Sequence, residues 1–334
     1  MTRQNIRPAA AAAVILVWWL SLAGADTWRL GDDQQWKPVA PEGPEGFVLA
    51  VSEAKKLVNS GDVKAARETF GRLKRDFPEL AGPDFDAFIE AELLYGQAKF
   101  TRAVRGYEKL LDDFPESRFR DAALDRLFAM GTAYLGGQKK RVFLVFNMRG
   151  YAEGVKIMER VTDRVGLDSA LGLRAARAVA ESYEKRGLYD EAYLKWWEIS
   201  LQWQRGPTGR DTLLGMARNR HANYNKPAAS RRTHYDSSRL RSARSWYEKV
   251  QSLYPEDANR LGVEDRIRRI DEQIALKELG IAQYYDRTGK RTAANLYYDM
   301  VISDWPDTRA AATARAVRAG NTDGKKEEDD QVKR

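Results

Sequence analysis

The sequence predicts an all-α fold, a superhelical solenoid of about five to six helix-turn-helix repeats. Three observations predict it. One signature of a small residue, an aromatic and a proline returns four times at identical spacing. Helical stretches follow one another from Phe47 to about Ala319, broken by Gly, Asp or Asn turns. The chain also carries 9 Trp and 15 Tyr, large side chains of the kind that fill the gap between paired helices.

The N-terminus reads as an address. Arg3 and Arg7 form a positive start, Ala9–Leu22 is a dense apolar run, and Ala23-Gly24-Ala25 is a small-x-small cleavage pattern. Residues 1–25 are therefore expected to be a secretory signal peptide. The run is shorter than the ~20 residues of a spanning helix, so a retained anchor is the alternative. Leu22-Ala23-Gly24 resembles the start of a bacterial lipoprotein box, but Ala25 stands where the acylated Cys would follow. Residues 26–46, rich in Pro, Gly, Asp and Trp, read as a linker.

The repeats come next. Ala66, Phe70 and Pro78 are spaced by four and eight residues, as are Ala103, Tyr107 and Pro115. Ala243, Tyr247, Pro255 and Ala294, Tyr298, Pro306 repeat the offsets. The alanine marks a close helix crossing, and the aromatic one turn later fills the next layer. The proline ends the helix, having no N–H to donate. These are the offsets of helix B in the tetratricopeptide (TPR) repeat, which the chain resembles. Ala91 with Leu94, and Ala282 with Tyr285, fit its helix A. Gly131 with Tyr134 starts a less regular unit, followed by an insertion around Gly136–Gly150. Ala180, Tyr183, Ala192 and Trp196 make another, closed late by Pro207. For the Ala243 unit no helix A is visible at the usual offset, and a polar loop of about Asn223–Ser238 is expected there. The solenoid thus covers 47–319 with an expanded middle of about 137–241. Residues 320–334 are fully polar and read as disordered.

The C-terminal stretch Ala275–Ala314 resembles the last repeat of BamD, the outer-membrane assembly lipoprotein family: an alanine-rich helix, a Tyr, a Gly-containing turn, two alanines, an aromatic and a closing Tyr-Pro-x-Thr/Ser, here Trp305-Pro306-Asp307-Thr308. Ala243–Ala275 and Tyr107–Leu127 carry the resemblance further. It implies a scaffold at the periplasmic face of the outer membrane that assists insertion of β-barrel proteins. Implied partners are a BamA-type barrel assembly protein and unfolded outer-membrane clients. Ala25 departs from the family's lipid anchor, so membrane association would be indirect or through an uncleaved signal. The alternative is another cell-envelope TPR adaptor, linked to peptidoglycan or to a secretion machine.

Two surfaces are candidates for binding. TPR helix A turns positions two, five, nine and twelve toward a groove. This register selects Phe85, Phe88, Glu92 and Tyr95, then Asp125, Phe128, Thr132 and Leu135. Aromatics with a few polar groups suit a peptide with aromatic anchors, although the same rings could pack into the core. The second surface is basic. Between Arg205 and Arg244 stand ten Arg and Lys against two Asp, a net +8 equal to that of the whole chain. Its arginines include Arg205, Arg210, Arg218, Arg220, Arg231, Arg232, Arg239 and Arg241. A solvated loop or a dock for an acidic partner are the two readings. Nucleic acid is disfavoured by the export signal.

Chemistry is poorly provided for. The chain has no Cys, which excludes thiolate catalysis and Cys-held metals, and only two His, His221 and His234. No phosphate-loop, dinucleotide, zinc-protease or nucleophile-elbow motif is present. No catalytic residue, metal or cofactor is expected, and the function expected is protein binding.

Overall fold

The computed structural model describes residues 28–30, 36–38, 43–142, 146–227 and 236–332, with side chains over 46–138, 150–227 and 236–320. The expected signal peptide lies outside them. No helix among the described residues is long and apolar enough to cross a membrane. The fold is helical, a TPR-like solenoid with two small hairpins. The stretch read as a linker carries one of these, β1 (Trp28–Leu30) paired antiparallel with β2 (Trp36–Pro38).

The chain forms two compact units, residues 1–99 and 100–334. The first holds α1 (Gly43–Ser60), α2 (Val63–Asp76) and α3 (Pro83–Gly96), which pack against one another. Asp62 caps α2 by accepting the Ala65 N–H at 3.0 Å. Phe47, Phe70 and Phe85 fill this core, with the Phe85 ring edge-on to Phe47 at 5.1 Å and to Phe70 at 6.1 Å.

The second unit is a serial stack. It runs through α4 (Phe100–Asp113), α5 (Arg120–Leu135), α6 (Tyr151–Val165), α7 (Ala170–Lys185), α8 (Tyr189–Gln202) and α9 (Gly206–Asn225). It continues through α10 (Ser238–Leu253), the short α11 (Pro255–Arg260), α12 (Val263–Arg287), α13 (Arg291–Asp304) and α14 (Arg309–Val332). The longer helices each pack against the next long helix in order, so burial is supplied by near neighbours in the chain. Every alanine and aromatic of the four helix-B pairs is buried to 1 % exposure or less. The 25-residue α12 serves two repeats. Ile267, Ile270 and Ile274 join the core of α7–α10, while Ala275, Leu279 and Ala282 join that of α13 and α14.

Turn chemistry follows the repeat register. Seven residues after the helix-A alanines Ala54, Ala180 and Ala282 come Gly61, Gly187 and Gly289, all at φ between 69° and 79°. Ala98 stands at the same position after Ala91, with φ 55°. It is the non-glycine exception in a left-handed turn where a Cβ is unfavourable.

The irregular middle has three causes. The insertion after α5 is a hairpin of β3 (Lys139–Val142) and β4 (Phe146–Arg149), closed at its base by Gly150 N–H donating to Gln138 O at 2.9 Å. The helix B that follows is α6. Its crossing residue is Gly154, so the Ala–aromatic–Pro signature is absent there. Finally, the Ala243 unit does have a helix A. It is α9, which lies upstream of the usual offset, while residues 228–235 of the polar loop expected at about Asn223–Ser238 lie outside the described residues. At the C-terminus, α14 continues as helix through the polar segment Asn321–Val332 that composition assigns to disorder.

Candidate functional site

The first set of sequence-selected groove residues is packed inward. Phe85, Phe88 and Glu92 on α3 are fully buried, and Tyr95 is partly so. A peptide cannot reach the first three, which corrects the groove assignment for them. The reason is packing between helices: α3 is apolar on several faces, and Phe85 completes the aromatic core with Phe47 and Phe70.

The second set lies on α5, in the second unit. Asp125 and Thr132 are exposed, and Phe128 is half-buried under the Arg174 guanidinium, 4.5 Å from its ring centroid. Thr132 donates its hydroxyl to Phe128 O at 2.9 Å. Beside Thr132 and Leu135 opens a cavity of about 440 Å³ between the C-terminal ends of α5 and α7. Tyr151, Ser182, Lys185 and Arg186 complete its chemically useful wall. The Arg186 guanidinium lies between two rings, 4.8 Å from Tyr151 and 5.0 Å from Tyr183. Its Nε donates to Ser182 O at 3.1 Å, but its Nη2 is buried with no hydrogen-bond partner. A buried guanidinium N–H without an acceptor is costly, and an anionic oxygen is its natural complement. The tyrosine faces and the exposed Lys185 make the wall both aromatic and cationic.

Glu181 on α7 also lines the cavity, and Arg174 on the same helix covers the Phe128 ring. Placing Ala180 at position eight, as for Gly131, selects Arg174, Arg177, Glu181 and Glu184. Arg186 and Tyr151 fall outside that register and needed the fold.

The basic segment is also corrected. Its described residues are mostly helix, and six of its arginines are each paired with an acid on another helix. Arg210 bridges Asp257 at 2.7 Å and Asp211 at 2.9 Å, and Asp211 also holds Arg177 at 2.6 Å. This pairing holds the Asp257 carboxyl below the usual range. Arg220 and Arg239 share Asp190 at 3.2 and 3.4 Å. Arg241 reaches Glu278 at 3.2 Å, and Arg244 reaches Asp271 at 2.7 Å. Arg231 and Arg232 lie outside the described residues. Each half-exposed pair is worth about 0–1 kcal/mol alone, so their role is to set register between repeats. The hub is Glu184 on α7. It accepts from Trp196 Nε1 at 2.6 Å, from Asn219 Nδ2 at 2.6 Å and from Arg218 at 2.7 Å. Trp196, in turn, has Arg177 and Arg218 each 5.9 Å from its ring.

His221, the one described histidine, is partly buried on α9. Its Nε2 lies 3.0 Å from Gln273 Oε1, and burial pulls its pKa below the ordinary value despite that bond. Among the described residues no cluster of three or more His, Asp or Glu could hold a metal ion.

Comparison with known proteins gives a class first. Residues 88–117 match the tetratricopeptide repeat, so the chain carries a TPR array of the kind that binds other proteins. Residues 178–334 match the YfiO family, described as an outer membrane lipoprotein. Together the two matches support a BamD-like TPR family, whose members are typically scaffolds or adaptors without catalytic activity. No curated protein matches the chain. Solved structures similar to it include the C-terminal part of a TPR repeat-containing protein from Cytophaga hutchinsonii, at 13 % identity and TM-score 0.37 over 80 % of this chain and 87 % of that one. PilW, a type IV pilus biogenesis factor, aligns at 13 % identity and TM-score 0.30 over 81 % and 99 %. A putative kinesin light chain from Podosopora anserina aligns at 16 % identity and TM-score 0.34 over 63 % and 99 %. At these scores the likenesses carry no functional weight.

Proposed function

We propose that the protein is an exported scaffold at the periplasmic face of the outer membrane that assists assembly and insertion of β-barrel proteins. The observation that carries this reading is the match of residues 178–334 to an outer membrane lipoprotein family, within an array of protein-binding repeats. In this reading residues 1–25 direct export, and a BamA-type barrel assembly protein and unfolded outer-membrane chains are the partners.

The cavity between α5 and α7 supplies a means of holding a client. The C-terminal strand of an outer-membrane protein commonly bears aromatic side chains. A peptide ending in an aromatic residue brings a ring and a carboxylate together. Tyr151 and Phe128 would take the ring, and Arg186 Nη2 with Lys185 would take the carboxylate.

The test is binding of a synthetic peptide ending in Phe, as free acid and as C-terminal amide, by fluorescence anisotropy. The free acid should bind more tightly, and Arg186→Gln should remove that preference. Equal affinity of both peptides for the unaltered protein would overturn the client site. A second reading, an envelope adaptor serving peptidoglycan or secretion, is favoured by Ala25 in place of the acylated cysteine. Affinity purification separates the two: recovery of a barrel assembly protein supports the first, and recovery of peptidoglycan or secretion proteins the second.

A further inference from the structure

The helix α8 is apolar on two faces. Ala192, Trp196 and Ile199 are buried in the core. Leu194, Trp197 and Leu201 form a second stripe that points to solvent, 58 %, 45 % and 55 % exposed. Their spacing of three and four is that of a helix-packing seam. On α10, Leu253 is 52 % exposed and Trp246 is partly buried, one and two turns from the core residues of the same helix.

Of these, Trp197, Leu201, Trp246 and Leu253 border one cleft of about 590 Å³, whose floor is the buried Gly209, Leu213 and Met216 of α9. It shares no residue with the cavity at Arg186. A cleft that reaches core residues accepts inserted side chains, which a flat lipid surface does not offer.

Charge narrows the occupant. No Asp or Glu lines the cleft, whereas Arg205 and Lys249 do. Six neighbouring arginines, Arg210, Arg218, Arg220, Arg239, Arg241 and Arg244, are each paired with an acid. Arg205 and Lys249 have no ion pair among the described residues, and Lys249 rests 5.5 Å from the Trp246 ring. The positive charge left over in this region therefore sits on the rim of an apolar, aromatic cleft.

We infer that the α8–α10 cleft docks an amphipathic helix of a partner protein, with apolar side chains at three- and four-residue spacing flanked by Asp or Glu. Trp197 and Trp246 are its anchors, of the type that dominate binding interfaces. Arg205 and Lys249 select the acidic flanks.

The experiment uses the full chain and two synthetic helices with the same Leu and Trp seam, one flanked by Glu and one by Lys. Binding is read by anisotropy of a labelled peptide. The Glu-flanked helix should bind, weaken as salt rises, and lose about tenfold or more affinity with Trp197→Ser. Arg205→Glu with Lys249→Glu should shift preference to the Lys-flanked helix. Arg186→Gln, in the other cavity, should change neither. All three altered side chains of the cleft are accessible, and unchanged circular dichroism melts will verify folding. Equal binding of the two helices overturns the inference. So does an affinity unmoved by Trp197→Ser. Vesicles of anionic phospholipid are the counter-probe. If Trp197→Ser abolishes co-sedimentation with vesicles and leaves peptide binding intact, the cleft is a membrane contact and the inference fails. If it abolishes a self-association seen by analytical ultracentrifugation and leaves peptide binding intact, the partner is a second copy and the inference likewise fails.

Discussion

Two Gly→Ala substitutions should affect stability differently, and the difference tests the packing of the irregular repeat. Gly154 lies on α6 where it crosses α5. A Cβ built there would sit 2.8 Å from Leu135 N and 3.0 Å from Gly131 O. Both are backbone atoms, so no side chain can swing aside, and the two helices must move apart. Overpacking of this kind costs about 1–3 kcal/mol. Helix propensity opposes it, since Ala is better than Gly in a helix interior by about 0.8–1.0 kcal/mol. Gly154→Ala should therefore gain nothing and lose up to about 2 kcal/mol, the difference of those terms. Gly280 on α12 has nothing within 4 Å of its built Cβ. There the propensity term stands alone, and Gly280→Ala should stabilise by about 0.8–1.0 kcal/mol. Urea denaturation followed at 222 nm measures both, with hydrogen exchange on α6 and α12 to localise the change, because a repeat array need not unfold in one step. If Gly154→Ala gains stability as Gly280→Ala does, α5 and α6 do not cross at Gly154 and the reading of that repeat is wrong.

Other substitutions probe the hub, the partly buried imidazole and the strained turn. Glu184→Ala strands one N–H each of Trp196 and Asn219, worth about 1–3 kcal/mol apiece when buried and unmet, so a loss of about 2–6 kcal/mol is expected in urea. Glu184→Gln keeps an acceptor and should lose less. His221 has a folded-state pKa lowered by burial, so the unfolded chain takes up its proton first as pH falls below about 6.5. Stability is full above that pH and declines below it toward the folded-state pKa. The decline between pH 7.5 and 5.5 should be shallower in His221→Gln, and parallel pH profiles would refute this. Ala98→Gly relieves a left-handed residue that costs about 1–2 kcal/mol, against about 0.4–1 kcal/mol of added freedom in the unfolded chain. Calorimetry should find a small rise in melting temperature for this variant, and a fall would contradict the turn assignment.

The sequence by itself determined the architecture wherever burial follows local spacing. Ala66 with Phe70, and Ala294 with Tyr298, are one helical turn apart, so their shared face is set by helix geometry alone, and all four are buried. The prolines that follow end those helices for reasons internal to the backbone. By the same logic the repeat register of Gly61, Gly187 and Gly289 is a local property. The register failed at α9, which lies upstream of the usual helix-A offset, and at α6, where glycine stands at the crossing position.

Only the tertiary structure decided the sites. Whether Phe85 and Phe88 face a groove or a core depends on what lies against α3, and Phe47 lies nearly forty residues from Phe85. A run of arginines looks like a free basic patch until Asp257, Asp271 and Glu278 arrive from other helices to meet it. Arg186 has Tyr183 beside it on its own helix, but acquires Tyr151 only because α6 packs against α7. Trp196 and Trp197 are adjacent in the chain, yet one joins the core and the other the cleft rim. Composition records the charges and rings, while pairing between residues tens of positions apart is set by how the helices stack. That is why the solenoid was legible and its binding surfaces were not.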